Sequence, residues 1–493
     1  MTENLIIMNI GDSDILYSFD RARLIDRARN GFMRIDGLTF KRARDYMDKY
    51  SARDYLMQCP LDLSTKELVS GMKDYCLQRR AEMLEPYRKK RYSINGDPIH
   101  HLYIIGNGFD RYHGADSTYM DFRSYLLKHN DFVVKMFELF FGPRSMMNNF
   151  DDYNDYLLCL QYGRKLPAPK NTWAKDYLWK DFEKYLSELN RERIFDFVDE
   201  NLPRLYEDDE NFSYAEYLGP IDIVADVVSS CTFEMQYQFH RWINTIHYKK
   251  GFRKNMLYLD RRKDRERALC RRFRKNMLYL DPNAVYLNFN YTLFLETEYN
   301  ISREHILYIH GDRRQKFGSL VLGHNVEDNE VAFDEWVHKH KNRRRYRPNL
   351  KDKKGKYFAN DKLVYLAFFL KDMKKGNWKN PIRYYAVDHI EERLENYYAK
   401  NIKHSNDIID HNLGFFESLN DLKEITLLGH SLGDVDFPYF KAIVENVRNV
   451  NDLIWDFSYY SDNDIINIRR FCRHLNIPQG KNVRHFKMSD IKR

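Results

Sequence analysis

The residues best suited to chemistry in this chain stand where apolar runs end. A glycine turn, Gly106–Asp110, follows the apolar run 102–105. Its two glycines would let the backbone approach a phosphate and leave amide groups free at the start of a helix. The third glycine of the dinucleotide-binding pattern is absent, because Arg111 takes its place. Alone, the turn fits a tight strand-to-helix corner as well as it fits a nucleotide site.

Three polar side chains that follow apolar runs are candidates for binding or proton transfer. Asn290 could orient a water or hold an amide, or it could hydrogen-bond within its own loop. His310 is a natural proton acceptor near neutral pH, although a lone histidine at a strand end is more often structural. Asp110 could accept a hydrogen bond from a ribose hydroxyl or be an exposed turn aspartate. For each residue both interpretations stay open.

A competing motif lies later in the chain, where Gly429–Gly433 reads Gly-His-Ser-Leu-Gly. This is the nucleophile elbow of α/β-hydrolases, which would make Ser431 a nucleophile. The triad would then need an acid and a histidine downstream. Such a triad could use Asp456 or Asp462 with His474 or His485. Only about sixty residues remain for the rest of that fold, and the segment after the elbow delays the required helix. A serine hydrolase is therefore the alternative interpretation.

These residues need a scaffold, and the apolar runs indicate one. Beyond 102–105, strands are predicted at 284–287, 306–309, 320–322, 425–428 and 453–459. Short apolar strands separated by helical stretches favour a parallel α/β sheet. The carboxyl ends of such strands meet at one edge, so the polar residues that follow them should converge there. A capping box at Thr118–Asp121 predicts the start of a helix behind the glycine turn.

The remaining segments suggest a core with additions. Residues 1–97 form an N-terminal extension, with a strand at Leu5–Ile10 followed by basic, helical-looking sequence. The sheet is expected within about 98–125, 283–330 and 420–493, with helical insertions at about 126–282 and 331–419, all in one domain, 98–493. The nine residues from Phe252 recur from Phe273, an offset of three heptads that could place both copies on one helix face. We expect the aromatic stripes of the first insertion to be core.

Composition narrows the classes of function. A net charge of +8 on 152 charged residues is a small excess, so nucleic acid is not the expected partner. The basic segment 343–356 contains Tyr346, and stacking on a base is the weaker alternative there. Six scattered cysteines without zinc-ligand spacing indicate a reduced protein and no metal site. Without a signal peptide or a membrane-length apolar run, we expect a cytoplasmic location and no membrane partner.

Several of these motifs together resemble the AbiH family of bacteriophage abortive infection proteins. The resemblance spans about residues 100–465. It is carried by Ile104–Asp110 with His113-Gly114 and Thr118-Tyr119, Trp179–Glu183, Asn288–Thr292, Ile309–Gly311, Leu428–Asp434 and Trp455–Ser461. Membership of this family would imply a role in phage defence.

AbiH proteins are in turn similar to sirtuin-like domains, and this likeness implies a Rossmann-like parallel sheet that binds NAD. It would make the glycine turn a pyrophosphate loop and His310 the histidine of a sirtuin H-G motif. Two departures, Thr292 in place of an aspartate and the missing zinc cysteines, argue against protein deacylation. The resemblance favours hydrolysis of NAD, as substrate, to nicotinamide and ADP-ribose, triggered by a phage signal.

The site residues that follow from the resemblance fall into two groups. Asn290 and His310 are expected to be catalytic, with Asp110 stabilising an oxocarbenium-like charge. The expected cofactor-binding residues are Gly106, Asn107, Gly108, Phe109, Asp110, Gly429, His430, Ser431 and Asp434. A non-enzymatic nucleotide sensor is a further alternative. The expected partners are a nucleotide ligand, a phage-derived trigger and a second copy in a homo-oligomer.

Overall fold

A computed structural model gives the architecture of the chain. It describes residues 5–10, 13–18, 34–35, 65–88, 92–93, 96–142, 177–191, 194, 214–248, 258–259, 279–324, 393, 397, 401–478 and 480–488. The basic segment 343–356 and most of the repeated segment lie outside these residues.

Strands of three sheets occur in the described residues. They are β1 (Leu5–Ile10), β2 (Ser13–Ser18), β3 (Arg34–Ile35), β4 (His101–Ile105), β5 (Tyr258–Leu259), β6 (Tyr279–Leu280), β7 (Val285–Asn288), β8 (Ile306–Tyr308), β9 (Glu424–Leu428), β10 (Ile454–Tyr459) and β11 (Val483–Lys487). Strands β1–β3 form an antiparallel sheet, and β5 pairs with β6 in parallel.

The main sheet has six strands in the order β11-β10-β9-β4-β7-β8, and every pairing in it is parallel. Counted by chain position within the sheet, this is the order 3-2-1-4-5-6 of doubly wound dinucleotide-binding sheets. The order reverses between β4 and β9, and ligands of such sheets bind beyond the carboxyl ends of the strands at that point. The specific likeness to sirtuins stays a prediction.

Eleven α-helices occur in the described residues. They are α1 (Thr65–Arg88), α2 (Asn107–Tyr112), α3 (Tyr119–His129), α4 (Asp131–Phe140), α5 (Phe182–Tyr185), α6 (Tyr214–Ile243), α7 (Phe294–Thr297), α8 (Ser405–His411), α9 (Leu413–Glu417), α10 (Phe437–Asn446) and α11 (Asp462–His474). The capping box predicted for α3 is confirmed, because Thr118 and Asp121 exchange both capping hydrogen bonds.

The aromatic residues of the first insertion are core, as predicted. Phe122 and Trp179 are fully buried and meet edge to face, with ring centroids 6.1 Å apart. Below them the buried Glu138 carboxylate accepts hydrogen bonds from Arg123 Nε at 2.7 Å and Trp179 Nε1 at 2.9 Å. Apolar burial therefore anchors the segment Trp179–Glu183, while Arg123 and Trp179 pair with one oxygen of the buried Glu138 carboxylate.

The chain divides into two compact units. One combines residues 1–91 with 407–417, and the other combines 92–406 with 418–493. Within the first unit, Arg88 at the end of α1 donates to Glu417 of α9 over 2.9 Å. The strand predicted at 5–10 is confirmed, but the helical interpretation of the following residues is wrong at β2 and β3, which pair antiparallel with it.

Three further differences from the predicted elements have physical causes. Residues 320–322 form no strand; their backbone serves neighbouring loops, since Val321 N donates to His310 O. Strand β11 went unpredicted because its sequence, Val-Arg-His-Phe-Lys, has the polar pattern of an edge strand. The two repeat copies do not share a helix face at their Tyr-Leu pairs. These residues form β5 and β6, which pair with each other in identical register.

Candidate functional site

Two glycine turns pack against each other at the point where the strand order reverses. Gly106 N donates to Leu428 O at 2.9 Å, and Gly108 N donates to Gly429 O at 2.7 Å. A Cβ atom on Gly106 would lie 2.5 Å from His430 Cα. Gly429 has a φ of +67°, and a Cβ there would lie 2.2 Å from Phe109 N. The turns need glycine because their backbones touch.

This packing engages three of the turn's amide groups that were predicted to hold a pyrophosphate. The amides of Gly106, Gly108 and Phe109 already donate to Leu428 O, Gly429 O and Gly106 O. A pyrophosphate held by these amides would have to break those hydrogen bonds. The ring of Phe109 is fully buried against His113 and Tyr299, so it belongs to the core rather than to a ligand surface.

Asp110 forms the centre of what we call the Asp110 corner, with Asn290 and Thr292. Its carboxyl group is 2% exposed and accepts from Asn290 Nδ2 at 2.9 Å and from Thr292 Oγ1 at 2.6 Å. Asn290 Nδ2 also donates to Gly106 O at 3.0 Å. The Asn290 amide nitrogen is thus engaged in joining two turns, and its predicted role in orienting a water stays a prediction. The Asp110 carboxylate likewise has protein partners rather than an open face for a ribose.

Burial raises the pKa of Asp110 to about 7, although the hydrogen bonds from Thr292 and Asn290 and the charge of Arg313 all lower it. A cavity of about 320 Å³ lies near this corner, and Arg313 and Tyr248, which both interact with the Asp110 charge, are among its lining residues. The volume is at the lower limit of small-ligand pockets.

The segment Asn288–Thr292 serves two places at once. Asn290 and Thr292 face Asp110, whereas the rings of Phe289 and Tyr291 lie beside His310, with centroid distances of 5.2 and 6.4 Å. Alternate residues of the segment therefore face opposite ways, as they do along a strand. The segment separates the Asp110 corner from a second group of polar residues.

That second group, which we call the Lys403 cluster, contains Glu183, His310, Lys403, His430 and Asp436. Lys403 Nζ lies 3.0 Å from Asp436 Oδ1 and 3.2 Å from Glu183 Oε2. Asp436 also faces His310 Nε2 at 3.7 Å and His430 Nε2 at 3.4 Å. The Lys403 side chain is 0% exposed, while the Glu183 and Asp436 side chains are 16% and 13% exposed. The two carboxylates thus retain access to solvent.

The electrostatics of the cluster follow from one buried cation between two carboxyl groups. Burial raises the pKa of Asp436, but Lys403 and the His430 hydrogen bond outweigh it and hold that pKa well below its usual range. Burial also raises the pKa of Glu183, and here the net shift stays upward because Asp436 opposes the effect of Lys403. Two neighbouring carboxyl groups with pKa values moved apart are the arrangement from which enzymes assign acid and base roles.

His310 differs from the buried His113 in its hydrogen bonding. His113 bonds through both ring nitrogens, to Phe109 O and to Tyr299 Oη. His310 is 3% exposed, and its Nε2 has no hydrogen-bond partner within the described residues. Burial and then the Lys403 charge lower the pKa of His310, so the ring is neutral at physiological pH. A neutral, unpartnered imidazole nitrogen facing a carboxylate can accept a proton.

Both helical insertions reach the cluster. Glu183 follows the buried Phe182, and its Oε1 accepts from Tyr119 Oη at 2.9 Å. Lys403 is fixed by a parallel bridge in which His324 N donates to Asn401 O and Lys403 N donates to His324 O. The segment predicted as the end of a strand, Gly323–His324, therefore positions Lys403. Sequence reasoning missed Lys403 because no local pattern marks its insertion as close to the sheet.

The Gly-His-Ser-Leu-Gly turn does not have the geometry of a nucleophile elbow. Among the non-glycine residues of this turn, the one with positive φ is Leu432, at +56°, rather than Ser431. Ser431 is exposed and has no histidine hydrogen-bonded to it among the described residues. Asp456 pairs with Arg484 at 2.6 Å, and His474 packs on Phe437. The alternative triad is therefore not assembled.

The acidic residue that this turn contributes differs from the predicted one. Asp434 is 68% exposed and pairs with Arg470 at 3.1 Å. Asp436, two residues later, enters the Lys403 cluster instead. His430 accepts from Leu432 N through Nδ1, and its Nε2 faces Asp436 Oδ2 at 3.4 Å. Of the predicted residues, the structure thus brings His310 and His430 together, while Asn290 and Asp110 meet in the other corner.

Neither a cluster of metal ligands nor a membrane-length helix occurs in the described residues. They contain no group of three or more histidine, cysteine, aspartate or glutamate residues arranged to hold a metal ion. No helix in that part of the chain is long and apolar enough to cross a membrane.

Comparison with known proteins gives one family. The family model described as "Bacteriophage abortive infection AbiH" matches residues 102–459, which is more than half of the chain. The match runs from β4 to the end of β10 and so includes the Asp110 corner, the Lys403 cluster and both insertions. No curated protein and no solved structure matches the chain.

Proposed function

Since the chain belongs to the AbiH family of bacteriophage abortive infection proteins, we propose that it acts in phage defence by hydrolysing NAD at the Lys403 cluster. The observation that carries the proposal is the buried His310, whose unpartnered Nε2 faces Asp436 at 3.7 Å. Three of its residues, His310, His430 and Asp436, follow the carboxyl ends of strands in a sheet with the dinucleotide-binding order.

The reaction adds one water to NAD and releases nicotinamide, ADP-ribose and a proton. Water attacks the anomeric carbon while the carbon–nitrogen bond breaks, and the bonding electron pair leaves with nicotinamide. His310 Nε2 accepts the proton that the water loses. The Asp436 carboxylate stabilises the positive charge that develops on the ribose ring, because a preorganised anion acts strongly at a site with little water.

The proposal rests on the Lys403 cluster and not on the glycine turn. The amides of Gly106 and Gly108 donate to Leu428 O and Gly429 O, and Asn290 donates to Asp110. In this proposal both features shape the edge of the sheet, and the reacting groups come from the turns after β8 and β9. A serine hydrolase receives no support from the exposed Ser431.

The test measures nicotinamide release from NAD by the purified protein, alone and with lysate from phage-infected cells. We expect release in at least one condition and a loss of about 10²-fold or more in His310→Ala and Asp436→Asn. The matched control is His129→Ala, because His129 is exposed and its Nδ1 hydrogen-bonds to Tyr125 O within the same helix. Ser431→Ala should retain full activity.

The same variants can be compared in cells challenged with phage. Protection should disappear in His310→Ala and persist in His129→Ala. An absence of nicotinamide release in every condition, or full activity of His310→Ala, would contradict the proposal. Tight binding of NAD without release would favour a nucleotide sensor in its place.

A further inference from the structure

The Lys403 cluster joins three parts of the chain through one side chain. Glu183 comes from the first helical insertion, Lys403 from the end of the second, and Asp436 from the turn after β9. The ammonium of Lys403 contacts both carboxylates, at 3.2 and 3.0 Å, and is completely buried. Its own backbone is fixed by the bridge to His324. Such a side chain has little freedom to move independently of its partners.

We propose that Lys403 is the positioning residue of this site: it holds Asp436 between its own ammonium and His310 and keeps the imidazole uncharged. The importance of Lys403 for catalysis rests on the proposed function, whereas its contacts with Asp436 and Glu183 do not. Asp436 Oδ1 faces both Lys403 Nζ and His310 Nε2, so the lysine and the histidine compete for the same oxygen. With the permanent cation in place, a second positive charge on His310 is disfavoured.

The groups that surround this contact come from every element packed around it. Around Lys403, Asp436 and His310, the titratable neighbours are Tyr119, Glu183, Tyr291, His430 and Tyr439. The tyrosines near Lys403 have raised pKa values, chiefly because they are buried, and stay neutral near pH 7. Lys403 is the lysine that opposes protonation of His310 here, and burial acts in the same direction. Removing it should let Asp436 pair with a protonated His310.

The direct test follows the His310 ring by NMR, with its signals identified by their loss in His310→Gln. We expect the wild-type ring to stay neutral between about pH 5 and 8. In the double variant Lys403→Met with Glu183→Gln, which removes one cation and one carboxylate together, the ring should titrate within that range. The single variant Lys403→Arg keeps the positive charge, so its His310 ring should stay neutral over the same pH range as in the wild type. The double variant is used because Lys403→Met alone would leave both carboxylates, Glu183 and Asp436, without a cation.

A second readout uses the reaction. In the double variant, kcat/KM for NAD should acquire an acidic limb and fall about tenfold per pH unit below the new pKa of His310, with recovery at higher pH. Lys403→Arg should lack this limb. A titration of His310 that is the same in the double variant and the wild type would overturn the proposal. Because the NMR measurement needs no turnover, a protein that never cleaves NAD would refute the proposed function and still leave Lys403 tested.

Discussion

Two aspartates at the same edge of one sheet, the buried Asp110 and the partly exposed Asp436, have pKa values shifted in opposite directions. Asp110 accepts hydrogen bonds from an amide and a hydroxyl, and burial raises its pKa to about 7. Asp436 accepts from an ammonium group and a histidine, which hold its pKa far below that of Asp110. Neutral donors offset only part of the cost of burying a carboxylate, whereas a buried cation at 3.0 Å more than offsets it.

The source of the partners explains the difference. Asn290 and Thr292 lie in a turn of the main sheet, directly beside the turn that carries Asp110. The partner of Asp436 is Lys403, which comes from an insertion. The sheet alone can therefore build the Asp110 corner, which joins turns. The cluster that can move protons needs residues from outside the sheet.

The two aspartates should also have opposite effects on the pH dependence of stability. The native state binds the Asp110 proton more tightly than the unfolded chain does, so its contribution is complete below the ordinary value of 3.8 and is lost as pH rises to about 7. The pKa of Asp436 is lowered, so its contribution is present above 3.8 and is lost as pH falls below that value.

The largest expected effect comes from removing the cation. Lys403→Met leaves the mostly buried Glu183 and Asp436 without the lysine cation, and the free energy of unfolding should fall by roughly 3–5 kcal/mol. The measurement is urea denaturation at pH 7. Lys441, which is exposed and pairs with Glu445 one helical turn away, gives the control Lys441→Met, with a change below about 0.5 kcal/mol. An equal loss of unfolding free energy in Lys403→Met and Lys441→Met would contradict the prediction that the buried cation stabilises the Lys403 cluster.

The next effect concerns the Asp110 corner and depends on pH. Asp110→Asn keeps the shape of the side chain and removes its charge. A pKa raised from 3.8 to about 7 corresponds to at most about 4 kcal/mol of unfolding free energy, lost by the wild type between pH 4 and 7. The variant should lose that much less over the same range, as measured by denaturation at several pH values. The surface variant Asp434→Asn should show the same pH dependence of the unfolding free energy as the wild type. If Asp110→Asn also showed that dependence, the Asp110 charge would not destabilise the Asp110 corner at neutral pH.

Local patterns predicted what local contacts determine. The apolar runs located five of the six main strands, and strand-end polarity brought attention to His310 and to the turn that holds His430. The missed residues depend on long-range contacts. Lys403 reaches Asp436 only because Gly323 and His324 pair with residues 401–403, and a Cβ on Gly323 would lie 2.2 Å from Asn401 O. Neither spacing nor periodicity carries that information, and β11 lacked an apolar alternation because it lies at an edge.

The smallest of these effects tests whether the Asp110 corner and the Lys403 cluster are coupled. Gly429 contacts the backbone of Gly108, on the side of the Asp110 corner, and directly precedes His430 of the Lys403 cluster. Gly429→Ala places a Cβ 2.2 Å from Phe109 N at a φ of +67°, so the free energy of unfolding should fall by roughly 1–3 kcal/mol. Gly480, with open space around it, gives the control Gly480→Ala, which should change stability by less than about 0.5 kcal/mol. If the turns are one rigid unit, Gly429→Ala should also change both the Asp110-dependent pH profile and the titration of His310. A change confined to one of the two would mean that the glycine contact holds the backbone together without linking the charges on its two sides.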